Sequence, residues 1–203
     1  MTIFPYLLAP LAGMLFTEVV GYFLHILLHS EKIAWLSRDH MIHHLRIYSL
    51  EAGLRQPAPY KDSLAGRASV GGVGLEWILP IVGVIALLLV AFNALGLPWG
   101  LQAAVLVPAL AWGKLMFAAL HDSMHIEDHW LTRLPFVKAW FIEARRLHDV
   151  HHIRFSDDGR MLTNFGIAFF GFDRLFGTYR PKASAFNAPG YAACLKRYAA
   201  IIN

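Results

Sequence analysis

The chain has one cysteine, Cys194, few charges and no glycine-rich phosphate loop. A single cysteine excludes an internal disulfide and any cysteine-built zinc or iron–sulfur site. Without a dinucleotide fingerprint or a P-loop, no nucleotide or flavin domain is expected. Charged residues make up only 16% of the 203 and hydrophobic residues 57%, with mean hydropathy +0.46. That balance is too apolar for an ordinary water-soluble domain and suits a bilayer. The net charge of +4 is too slight an excess to be read as a nucleic-acid signal.

Long apolar runs are present instead. Three of them, roughly 4–28, 77–95 and 99–120, are each long enough to cross a bilayer. The first contains one charge, Glu18, and the third one, Lys114. Gly96, Leu97 and Pro98 mark a tight turn between the second and third. The expected fold is an all-α integral membrane bundle with about three spans, a single domain over 1–203. Polar, histidine-rich helical segments at 30–69 and 121–181 form a cap on one side. Six Lys/Arg fall between 30 and 69 and eleven after 121. By the positive-inside rule the cap and the C-terminus are cytoplasmic and the N-terminus is outside.

The histidines carry the chemistry. His25 and His29 form HxxxH, and His40, His43 and His44 form HxxHH. About eighty residues later the order repeats, with His121 and His125, then His148, His151 and His152. Only His129, four beyond His125, stands apart. Residues i, i+3 and i+4 share a helix face, so each cluster is expected to aim its imidazoles at one point. With three spans, all four clusters lie on the same membrane side. Ten or eleven imidazoles are too many for one metal and fit two, with four to six donors each. Two irons activating O2 would supply what no side chain can, an oxidant able to take hydrogen from an unactivated C–H bond. The bilayer would deliver a lipid substrate laterally. Glu18, seven residues before His25 on the same face, is a candidate to support that histidine from behind, and intramembrane carboxylates are costly enough to be functional as a rule. Asp39, Asp122 and Asp149 adjoin ligand candidates and can either orient their N–H groups or be surface charges. His129 is open between a ligand and a supporting role.

The order HxxxH, HxxHH, a later histidine group and a final HxxHH resembles the fatty acid hydroxylase/sterol desaturase superfamily of membrane di-iron oxygenases. WLSRDHMIHH at 35–44 is similar to its tryptophan-then-HxxHH block, and TNFGIAFFGFDRLFGTYRP at 163–181 to its asparagine-glycine segment and DRLFGT tail. The resemblance implies a di-iron centre, O2 and an external electron donor of ferredoxin, rubredoxin or cytochrome type. It implies hydroxylation or desaturation of a fatty acyl, sterol, sphingolipid or carotenoid substrate. The ligand set would be His25, His29, His40, His43, His44, His121, His125, His148, His151 and His152. The alternative from another class is a non-catalytic histidine-rich metal-binding or transport protein. Transporters, however, place their ligands near the midplane on broken helices.

Overall fold

The computed structural model describes residues 3–58, 69–70, 73–183 and 185–203. Part of the expected 30–69 cap, residues 59–68, lies outside the described residues. Among the described residues, three helices are long and apolar enough to cross a membrane. These are α1 (Phe4–Leu28), α3 (Leu75–Ala94, whose apolar stretch is Glu76–Ala94), and a helix from α4 (Trp99–Lys114) to Met124. Apart from a two-residue hairpin pairing Ser69–Val70 with Val73–Gly74, the described chain is helical and loop.

The third span extends beyond its expected end at 120. A wide π turn, Leu115–Leu120, joins α4 directly to α5 (His121–Met124). His121 therefore rides on the span's own helix. Such turns insert a residue without breaking the backbone ladder and recur at functional sites. A second one, His43–Ile47, continues α2 (Ala34–Ile42).

α1 and α4 pack through small residues. A Cβ on Gly13 would lie 2.2 Å from the Val105 carbonyl oxygen, and one on Gly21 only 1.9 Å from the Phe117 ring. Between them the Thr17 hydroxyl lies 3.0 Å from both the Gly13 and Ala109 carbonyls. In lipid, where no hydrophobic force pulls helices together, this close approach is what holds them. Glu18, one residue on, accepts a 2.7 Å hydrogen bond from the Trp112 indole of α4. By contrast, α3 is the least buried span; at its start Glu76 is buried and Trp77 packs near Leu24, Leu28 and Leu36.

The cap closes over one end of the bundle. Its main helix is α6 (Lys138–Ile153), followed by the short α7 (Gly171–Leu175). The chain then ends in α8 (Ala188–Ile202), capped by the Asn187 side chain accepting from the Gly190 N–H. α8 buries Tyr191, Cys194, Tyr198 and Ile201 against Met41, Leu45, Phe155 and Met161. The Tyr198 hydroxyl donates to the His29 carbonyl at 2.5 Å, tying the last helix to the end of the first.

Candidate metal centre

All ten clustered histidines meet at one end of the bundle. His25, His29, His40, His44 and His151 bring one nitrogen each within 4.8 Å of one another. His43, His121, His125 and His148 form a second group on the same criterion, and His152 joins His43 and His44 between the two. The two HxxxH pairs behave as their spacing predicts, 25 and 29 in the first group, 121 and 125 in the second.

The HxxHH clusters do not. Each was expected to aim at one point, but His40 and His44 serve the first group while His43 serves the second. Likewise His151 lies in the first group and His148 in the second. The reason is angular. Residues i and i+4 nearly align on a helix, whereas adjacent residues diverge by about 100°. A helix between two groups therefore sends neighbouring histidines to different sides.

The nitrogen geometry is specific. In the first group four Nε2 atoms close a ring: His29–His40 3.0 Å, His40–His44 3.2 Å, His44–His151 3.2 Å and His151–His29 3.2 Å. Hydrogen bonds cannot fill all four sides of that ring, because each Nε2 carries either one hydrogen or a lone pair and cannot donate to one neighbour while accepting from the other. His151 Nδ1 lies 2.6 Å from the Thr163 carbonyl, which only an N–H can satisfy, so its Nε2 carries a lone pair. A metal bonded to imidazole nitrogens at about 2.1 Å places right-angle neighbours about 3.0 Å apart. The ring matches that spacing. In the second group His125 Nε2 is 3.0 Å from His148 Nε2, which is 3.2 Å from His152 Nε2.

Backbone carbonyls set the tautomers. His25 Nδ1 donates to Phe165 O at 2.6 Å and His125 Nδ1 to Leu54 O at 2.9 Å. Among the described residues, His25 Nε2 and His43 Nε2 are buried without a hydrogen-bond partner. Holding Nδ1–H on an acceptor turns the Nε2 lone pair toward a metal and makes it more basic. These carbonyls are themselves braced. Gln56 pairs with Ile126, its N–H donating to His125 O at 2.8 Å, which fixes Leu54 beside His125. On the other side Asp173 accepts from the N–H groups of Phe165 and Gly166 at 2.7 and 2.8 Å and from the Thr178 hydroxyl at 2.7 Å. Asn164 adopts φ +54°, and its side chain bonds Leu147 O, Arg180 O and Arg180 N–H. Gly166 cannot carry a side chain, since a Cβ would lie 2.5 Å from Phe169 O. The asparagine-glycine segment and the DRLFGT tail are thus one bracket, presenting Thr163 and Phe165 carbonyls to two histidines. No sequence rule marks a backbone carbonyl.

The imidazoles are held neutral. Burial first, then the neighbouring imidazoles, keeps His29, His40, His43, His44, His148 and His152 well below the ordinary histidine value. Burial likewise lowers His125, and lowers His151 to about 4.

The remaining candidates lie elsewhere. His129 belongs to neither group; its Nδ1 accepts from the Leu131 N–H and its ring lies by Trp130 and Phe141. Glu18 does not hydrogen-bond His25, one of whose nitrogens is on Phe165 O while the other is unpartnered; its partner is Trp112. Asp149 pairs with Arg55 and Asp39 with Arg38, while Asp122 lies 3.3 Å from His121 Nδ1.

The model of the family described as fatty acid hydroxylase matches residues 10–178, most of the chain. The chain belongs to this family. No curated protein and no solved structure matches it. As a fatty acid hydroxylase family member it is an oxygenase-type, lipid-modifying membrane enzyme, and its histidine clusters can bind metal ions.

Proposed function

We propose that the chain is an O2-dependent di-iron oxygenase that hydroxylates an unactivated C–H bond of a membrane lipid, working as one unit over 1–203. The observation that carries this is the closed ring of Nε2 atoms at ligand spacing, with a lone pair fixed on His151 by Thr163. His25, His29, His40, His44 and His151 would hold one iron, and His43, His121, His125 and His148 the other, with His152 between them. Two irons, when bound, supply the oxidising power toward O2 and a C–H bond. The protein's part is to hold and orient. The Thr163, Phe165 and Leu54 carbonyls fix the rings, and burial keeps the imidazoles neutral and water out.

Electrons would come from a separate ferredoxin, rubredoxin or cytochrome, since no flavin, haem or iron–sulfur motif is present. The excess of Lys/Arg beside the histidines supports a cytoplasmic cap and C-terminus and an outside N-terminus. It also suits docking of an acidic donor. The deciding experiment measures metal per chain and lipid products on one preparation. Two irons per chain and a product heavier by one oxygen are expected. Loss of two hydrogens would make the enzyme a desaturase, and metal binding without any product would overturn the oxygenase reading. A reporter fused at Asn203 should be active on the cytoplasmic side.

A further inference from the structure

The 130–142 segment follows the last span, within the polar cap expected at 121–181. Its surroundings place it elsewhere. The Trp140 indole of α6 donates to Ala168 O at 3.2 Å, and its ring lies 6.1 Å from Phe169. Phe169 in turn stacks on Trp112 of α4, centroids 6.1 Å apart and planes within 14°. Trp112 lies nine residues before His121 on a continuous helix whose α rise of about 1.5 Å per residue is shortened by the Leu115–Leu120 π turn, which sets it roughly two turns from the histidines toward the bilayer midplane. Trp140 lies eight residues before His148, about 12 Å at the same rise. His121 and His148 are neighbours, with rings 4.9 Å apart. The first turn of α6 therefore faces α4 across the Phe169 ring, level with a spanning residue.

The preceding turn has the matching surface. Phe136 is 100% exposed and Trp130 59%, with Phe169 at 50%. Arg133 and Lys138 flank the apolar residues, and both are exposed. Aromatic tips bounded by long basic side chains suit the boundary of acyl chains and phosphates, where the cations can reach back to the headgroups.

We propose that residues 130–142, with Phe169, re-enter the bilayer beside α4 and bury Trp130 and Phe136 among lipid acyl chains. This lipid contact is continuous with the lipid-facing surface of α4 through Trp112 and Phe169. It does not depend on the reaction proposed above.

The test places a bimane label on Phe136→Cys in the full chain, reconstituted in nanodiscs containing brominated phosphatidylcholine. Cys194 is fully buried and stays unlabelled. Leu110→Cys, exposed on α4, gives the lipid reference, and Lys196→Cys, exposed on α8, the aqueous one. Quenching at 136 of at least half that at 110, with little at 196, is expected. Quenching at 136 no greater than at 196 would overturn the proposal. Because Phe136 makes no buried contact, its replacement should not impair folding, and an unchanged melting temperature checks this.

Discussion

Each ligand candidate has two nitrogens, and the protein fixes the role of both at three of them. At His25, His125 and His151 a carbonyl takes Nδ1–H. Replacing any of His40, His43, His44, His148, His151 or His152 by alanine should abolish product formation and lower metal content, measured together on each variant. His129→Ala should keep its metals. That ring only caps the Trp130–Thr132 turn, and losing such a cap costs about 1 kcal/mol. Asp173→Ala tests the bracket. Removing a buried acceptor of three hydrogen bonds should cost about 3 kcal/mol or more, and the freed 163–166 loop should lower iron occupancy although no ligand is touched. Full occupancy with an unchanged melting temperature would show that the carbonyls do not matter.

At the scale of elements, the α1–α4 seam is the least tolerant part of the fold. Gly13→Leu must push the Val105 backbone aside, because no side chain there can yield. It should prevent recovery of folded protein in detergent, whereas Gly83→Leu, on a position of α3 with nothing within 4 Å, should be recovered normally. Much of this level was legible in the sequence. Apolar length gave the three spans, and four-residue spacing paired His25 with His29 and His121 with His125. Two things were not legible. The division of each HxxHH between two groups depends on what lies on both sides of the helix, which a one-sided face rule ignores. The other is α8, which lies past the cap expected to end at 181, although Asn187, Pro189 and the apolar spacing of Tyr191, Cys194, Tyr198 and Ile201 are ordinary helix signals.

For the whole molecule, the neutral histidine core makes stability depend on acid. An unfolded histidine takes up its proton near 6.5, while burial holds His151 neutral down to about 4. Between those values the unfolded chain binds more protons. The metal-free protein should therefore lose stability as pH falls from 6.5 toward 4, by about 1.4 kcal/mol per pH unit for each such histidine. Melting temperatures of metal-free protein at pH 7.5 and 5 check this; equal values would mean the core is not buried when empty.

His43 and His44 adjoin in the chain yet answer to the second and first groups, and His151 of the first adjoins His152, which lies between the two. The two sites are therefore coupled through a single peptide bond, and neither can adjust its geometry alone. An ion in the first group would fix the helix turns that carry His43 and His148, and so prepare the second group for its own ion at a smaller entropic cost. Loading should then be cooperative. At half-saturating iron, native mass spectrometry should find mainly empty and doubly loaded chains, and a dominant singly loaded species would show that the sites fill independently.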